Sequence, residues 1–214
     1  MINYFVIHCN EHTERLNNIL DIKKIINQKI EVFKGYFTKN ISTSYTSKLN
    51  YFQKHDTNLL MNQNVLTKPG EIGCYLSHHM LIKYIFDNSN SNEYSVIFED
   101  DIICKETLHN EIQQIIKNMV KIDWDIIFLG NLTKNHGKQV IDNIYCIDEN
   151  QICTGTHSLL INNKNVNKIY NANCNILHAI DRQYKINIDL KILNGYVIFH
   201  PICFQNKVFQ SNIQ

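Results

Sequence analysis

Val96 to Ile102 read VIFEDDI, an apolar run driven straight into Glu99, Asp100 and Asp101, with no lysine or arginine following until Lys105. Few features constrain a fold more. Burying an ionised carboxylate without a partner is prohibitive, so the triplet must face water, face a cation, or hold a proton. Side chains alternate along a strand, which puts Glu99 and Asp101 on one face and Asp100 on the other. A strand ending in this way belongs at an open edge, and open α/β sheets bind ligands just beyond the carboxyl ends of their strands.

A hard divalent ion takes oxygen ligands at about 2.1 Å if it is magnesium. Alternate Cα atoms on a strand lie roughly 6.6 Å apart. One ion is therefore better held by a single carboxylate with substrate phosphates and water than caged by all three. Asp101 is the expected ligand, with Glu99 facing the ribose or the ion's water shell. The bland alternative is a solvated acidic turn.

The rest of the pattern fits an α/β chain. Tyr4 to Ile7 is a short β-rich run, and Leu16, Ile19, Leu20, Lys23 and Ile26 recur at helical spacing. Ile30 to Phe33 offers a second strand. Residues 38 to 58 are polar, rich in Ser, Thr and Tyr, and aperiodic, and read as a long excursion. Behind Pro69 and Gly70, the stripe Ile72, Leu76, Met80, Leu81, Tyr84 and Ile85 predicts a helix of about four turns. A strand at Tyr94 to Phe98, a helix through Leu108, Ile112, Ile115, Ile116 and Met119, and a buried strand at Trp124 to Leu129 follow. Val140 to Ile147, Ser158 to Ile161 and Val197 to Phe199 read as extended, Lys164 to Tyr170 and Ile176 to Ile186 as helical. Alternation of this kind predicts a single domain, 1–214, built on a mixed sheet flanked by helices, with the late strands adding antiparallel pairing.

Composition narrows the function classes. A net charge of +1 with 44% hydrophobic and 19% charged residues gives no electrostatic footprint for nucleic acid. Cys9, Cys74, Cys104, Cys146, Cys153, Cys174 and Cys203 are odd in number and show no CxxC or zinc-like spacing, and read as reduced, mostly buried thiols. The opening INYFVIHC is too short and not basic enough for a signal peptide, and no run reaches the roughly 18 apolar residues of a membrane span. The expected setting is cytoplasmic, at most peripheral to a membrane, with the sequons at Asn40 and Asn131 unused.

The segment KPGEIGCYLSHHMLIKYIFDNSNSNEYSVIFEDDI resembles glycosyltransferase family 25, whose members carry G-E-x-G-C-x-x-S-H on a helix and then a strand ending E-D-D. Gly70, Glu71, Gly73, Cys74, Ser77, His78 and the acidic triplet fall at the family's spacing. Thinner agreements run along the chain: VIHCNEHTER with V-I-N-L-D-R-x-x-x-R, WDIIFLG with W-D-x-x-x-L-G, TGTHSLLINNKNVNKI with G-T-x-x-Y-x-I-S, LHAID with h-P-V-D, and HPICFQNKVFQSNI with P-x-x-x-x-Q and S-D-I. Three departures stand out: Glu11 replaces the opening arginine, Ala179 the proline of P-V-D, and Asn212 the aspartate of S-D-I.

The resemblance implies a GT-A-like α/β fold. It implies inverting, metal-assisted transfer of galactose or glucose from a UDP-sugar to a hydroxyl on an oligosaccharide or a hydroxylated polypeptide, with Mn2+ or Mg2+ as cofactor. Bacterial members elongate lipooligosaccharide, and animal members galactosylate hydroxylysine in collagen. Inversion in one displacement needs a base for the acceptor proton. Asp181 matches a family acidic position and is the candidate, its alternative being an ordinary helix-start carboxylate. Glu71 is either a first-turn carboxylate or an acceptor-binding group. Arg15, Ser77, His78, Glu99, Asp100, Gln205 and Asn212 are candidates for the donor site, His78 either touching the diphosphate or bracing the acidic strand. His200, after the final strand, is a candidate metal ligand beside Asp101 and Glu99, since GT-A enzymes often supply a histidine there. Two other classes compete: a binding protein of the same fold that has lost turnover, and a metal-dependent phosphohydrolase, which lacks the further carboxylate and histidine motifs of a two-metal site.

Overall fold

The computed structural model describes residues 1–38, 41, 44–61, 66, 68–88, 93–130, 132, 137–147 and 155–209. The Asn40 and Asn131 sequons, Cys153 and Asn212 lie outside them. The chain opens with β1 (Ile2–His8), α1 (Leu16–Ile26) and β2 (Ile30–Lys34), then α2 (Tyr45–His55), β3 (Leu60–Met61) and α3 (Pro69–Asn88). The acidic stretch follows, as β4 (Tyr94–Glu99) and β5 (Ile102–Cys104), then α4 (Leu108–Met119), β6 (Ile126–Phe128), β7 (Gln139–Ile141) and β8 (Ile144–Cys146). The last third is β9 (Ser158–Asn162), α5 (Val166–Ala172), β10 (Asn175–Ile176), α6 (Ile180–Asp189), β11 (Gly195–Ile198) and β12 (Cys203–Gln205).

Eight strands form one mixed sheet in the order β2-β1-β4-β9-β6-β11-β8-β7. β1 pairs in parallel with β2 and β4, and β11 in parallel with β6. β9 runs antiparallel between β4 and β6, and β8 antiparallel to β11, the late antiparallel pairing that the pattern predicts. The period of two sorts the side chains onto two faces. Phe5, Ile7 and Ile97 join Phe52, Ile72, Tyr75, Leu76 and Tyr184 under α2, α3, α5 and α6. Tyr4, Val6, Val96 and Phe98 join Ile19, Ile22, Leu108 and Ile112 under α1 and α4. Each fully buried isoleucine or phenylalanine contributes about 1.5–3 kcal/mol relative to exposure, and this burial holds the acidic end of β4 in the middle of the sheet.

Several sequence expectations are corrected. Residues 45–55 form a helix inside the stretch read as an irregular excursion: Ser44 caps it by accepting from the Ser47 amide at 3.3 Å, and Phe52 is fully buried on its inner face. Only Lys48 and Phe52 are buried along it, so the polar composition masks a narrow apolar seam. The helix expected from Ile176 begins at Ile180, because Asn175–Ile176 pairs with β3. Val140 to Ile147 is a tight hairpin rather than one strand, with Asp142 at a φ of 42° in its turn. Among the described cysteines only Cys104 and Cys203 are buried; Cys9, Cys74, Cys146 and Cys174 are partly exposed, so the thiols are not mostly buried.

α3 has ten buried residues spread around its circumference, since it packs on the sheet below and on α5 and α6 beside it. Gly73 matters here: a Cβ would lie 2.5 Å from the Tyr36 carbonyl oxygen, so only glycine admits the strand-to-helix connection against α3.

Candidate functional site

β4 ends at Glu99, whose amide donates to the His157 carbonyl at 3.0 Å, and Asp100 and Asp101 then form the turn into β5. The three carboxylates meet three different fates. Asp100 is buried, with Oδ2 2.6 Å from His8 Nδ1 and Oδ1 accepting from Arg15 Nη1 at 2.6 Å. The side chain of Asn18 donates to the carbonyls of Asp100 and Ile102 at 2.8 Å each, fastening the turn to α1. The cation missing from the local sequence is thus supplied from the β1–α1 connection.

Glu99 faces the opposite way. Its Oε1 lies 2.9 Å from His78 Nε2, accepts from the Thr156 hydroxyl at 2.9 Å, and lies 3.9 Å from Cys74 Sγ. Burial pushes this carboxyl up, but the His78 ring, with the Thr156 hydroxyl, outweighs it and holds the group below the usual carboxylate range. Asp101 is buried in the turn, reached by Arg15 from the Asp100 side and by Gln205 from the crevice lining. Burial and then the Glu99 charge push it up to about 6, against the pull of Arg15, 3.5 Å away, and of Gln205 Nε2, which donates to Oδ2 at 3.3 Å. Asp101 Oδ1 is buried and has no hydrogen-bond partner among the described residues.

Beside this pair opens a crevice of about 290 Å³ whose lining brings together Glu71, Glu99, Asp181 and Gln205 with Cys74, Thr156 and His157. Asp181 stands in the first turn of α6, Oδ2 accepting from the Gly155 amide at 3.3 Å and Oδ1 from the Arg182 amide at 2.7 Å. A larger cavity of about 570 Å³ opens by Tyr94, Trp124 and Asn162, at the amino-terminal edge of β4. We place the site in the smaller one, because ligands of α/β sheets gather at the carboxyl edge and the carboxylates converge there.

The remaining candidates sit elsewhere. Arg15 is buried on Asp100 and is absent from the crevice wall. Ser77 is buried, its hydroxyl donating to the Gly73 carbonyl at 2.7 Å and accepting from the Tyr36 amide at 2.8 Å, which ties the β2–α2 connection to α3. His78 is 1% exposed and braces Glu99. His200 is exposed, its ring against Phe199 and its backbone held by Asn143, and it does not line the crevice.

The sequence reading gave no role to His8, Cys74, Thr156 or His157. The last two lie in the TGTH stretch, whose thin family match assigns them no role, and the signal for the ring's seat is a pair of glycines, Gly155 beside it and Gly130 at the end of WDIIFLG. A Cβ on Gly130 would come within 2.1 Å of His157 Nε2, and Gly155, at a φ of 94°, within 2.9 Å of His157 Nδ1. Two absent side chains make the slot that seats this ring at the crevice wall.

Asp101 and Glu99 offer the oxygen ligands a hard divalent cation takes, and Gln205 a neutral neighbour. The Asp101 carboxyl, raised by burial and then by the Glu99 charge, keeps one buried oxygen without a donor while Arg15 stands 3.5 Å from the other, which leaves a lone pair for a cation.

A carboxylate-lined crevice at the carboxyl edge of a mixed α/β sheet is where chains of the α/β class bind their ligands. The family model described as glycosyltransferase family 25 (LPS biosynthesis protein) matches residues 1–184, and the chain belongs to that family. It is 23% identical to human procollagen galactosyltransferase 2 over 175 residues, covering 79% of this chain and 27% of that protein. It is 30% identical to mouse inactive glycosyltransferase 25 family member 3 over 79 residues, 36% of this chain and 13% of that one. The chain thus spans about a quarter or less of the length of these relatives. A solved glycosyltransferase involved in glycosylation of the major capsid of PBCV-1 superposes with a TM-score of 0.49 at 7% identity, covering 98% of this chain and 94% of that one. Among the described residues, no helix is long and apolar enough to cross a membrane.

Proposed function

We propose that the chain is an inverting, metal-dependent hexosyltransferase that moves galactose or glucose from a UDP-sugar to a hydroxyl group. The acceptor is an oligosaccharide, as the LPS description of the family supports, or a hydroxylated polypeptide, as the name of the human relative supports. One observation carries the reading: Glu71, Glu99, Asp181 and Gln205, drawn from four separate elements or their ends, converge on one crevice, with the unpartnered Asp101 oxygen behind it.

Asp101 and Glu99 would hold the cation. When bound, Mn2+ or Mg2+ supplies positive charge where the departing diphosphate gains negative charge. Asp181 takes the acceptor's hydroxyl proton as the new carbon–oxygen bond forms and the bond to the β-phosphate breaks, the electron pair leaving with UDP. The Gly155 amide fixes the Asp181 carboxylate for that task. Glu71, on the first turn of α3, accepts from acceptor hydroxyls, while His78 and Thr156 keep Glu99 ionised and aimed.

A second reading, a nucleotide-sugar or glycan binder without turnover, is favoured by Glu11, Asn212 and the relatives named inactive. Calorimetric titration of UDP-galactose and UDP-glucose with and without Mn2+, paired with an assay for released UDP, separates them. Mn2+-dependent binding with UDP release upholds the transferase. Binding without release for any saccharide or hydroxylysine acceptor selects the binder, and no binding of either sugar nucleotide or of any saccharide offered overturns both.

A further inference from the structure

Cys74 and His78 are one helical turn apart on α3, so their side chains leave the same face. Both reach Glu99: Sγ lies 3.9 Å and Nε2 2.9 Å from Oε1, and the three ligand atoms lie within 4.8 Å of one another. Tetrahedral zinc bonds sulfur at about 2.3 Å and nitrogen or oxygen at about 2.0–2.2 Å, which places its ligands roughly 3.3–3.7 Å apart. The two pairs that include Glu99 lie within about half an ångström of that spacing, and the Cys74–His78 pair, within 4.8 Å, closes to it by a movement of up to about 1 Å. Thiolate is a ligand that magnesium and manganese leave to softer ions, and imidazole suits zinc.

We propose that Cys74, His78 and Glu99 form a binding site for a borderline divalent ion of the zinc type, with a fourth position open to the crevice. Cys74 and Glu99 both line that crevice, so water or a substrate oxygen reaches the open position. This is the layout of three protein ligands and one exchangeable one. His78 is 1% exposed and Cys74 partly exposed, so the imidazole is held in place and the thiol is reachable. Binding releases the Cys74 thiol proton to solvent and replaces the His78–Glu99 hydrogen bond by two bonds to the ion. The imidazole then carries its proton on Nδ1, a buried nitrogen that has no hydrogen-bond partner among the described residues.

A consequence follows that rests on the transferase reading. Glu99 cannot serve this ion and the Asp101 cation at once, so zinc inhibits by competing with Mn2+ or Mg2+ for one carboxylate.

The site itself is tested on the full chain, stripped of metal, without any sugar nucleotide. Titration with Co2+ is expected to produce a near-ultraviolet thiolate-to-cobalt charge-transfer band, bleached by equimolar Zn2+. Cys74→Ser should abolish the band, Glu99→Gln should weaken Co2+ binding by at least about tenfold, and Cys146→Ser should leave it unchanged. Wild-type alkylation mapping, which needs no variant to fold, should show Zn2+ shielding Cys74 but not Cys146 from iodoacetamide. Absence of the band, its survival in Cys74→Ser, or equal alkylation of Cys74 with and without Zn2+ overturns the proposal. Failure of the transferase reading would leave the band and the shielding intact.

Discussion

Arg15 Nη1 sits 2.6 Å from Asp100 Oδ1 and 3.5 Å from Asp101 Oδ2, so a side chain 85 positions back from Asp100 clamps the acidic turn. With His8 on the other Asp100 oxygen, a buried carboxylate is satisfied on both sides. Removing one partner of a buried pair leaves an uncompensated charge. Arg15→Met should therefore destabilise the fold by about 3–5 kcal/mol, read by urea denaturation. A loss below about 1 kcal/mol would show that the turn holds without the clamp.

The Asp101 carboxyl gives a pH signature. Its value of about 6 in the fold lies above the ordinary 3.8, so the folded chain binds this proton more tightly than the unfolded chain does. The contribution to stability is complete below the unfolded value and is lost as pH rises through about 6. In EDTA, the stability of Asp101→Asn relative to wild type should rise between pH 4 and 7, by on the order of 3 kcal/mol. A difference that stays flat across that window would mean that Glu99 and burial do not hold the proton on Asp101.

Gly130→Ala places a methyl group 2.1 Å from His157 Nε2 and 2.8 Å from the Cys203 carbonyl oxygen, a backbone atom with little room to retreat. Overpacking of this kind costs about 1–3 kcal/mol. The variant should lose that much in urea, and its crystal structure should show His157 displaced from the crevice wall. Wild-type stability with the ring unmoved would remove the slot argument.

For Asp181→Asn the fold should survive, because the amide oxygen still accepts from the Arg182 amide at the 2.7 Å position and only the longer 3.3 Å bond from the Gly155 amide to the other oxygen is given up. A base supplies about 10²–10⁴-fold in rate. Turnover should fall by that factor while UDP-sugar affinity, measured by calorimetry, stays within about twofold. Unchanged kcat would take the base role from Asp181.

The elements that carry the site were legible where the pattern is dense. The apolar stripe from Ile72 to Ile85 reads as α3, and Val96–Phe98 followed by three acids reads as a buried strand reaching an edge, because burial and periodicity act over a few residues. α2 was hidden because only Lys48 and Phe52 are buried along it, a seam too narrow to register against Ser, Thr and Tyr. The β5–β12 ladder was hidden for a different reason: Cys104 faces Cys203 across 99 residues, and three-residue strands have no period of their own.

What the sequence determined alone is that the β4 carboxylates need something positive or wet in front of them, since desolvation cost depends only on charge and burial. Which carboxylate gets what is tertiary. Asp100 takes Arg15 and His8, Glu99 takes His78 and Thr156, and Asp101 keeps an unpartnered oxygen beside the crevice. Those partners come from β1, α1's lead-in, α3 and the segment before β9, and only the order in which the strands pair puts them within 3 Å of the acids.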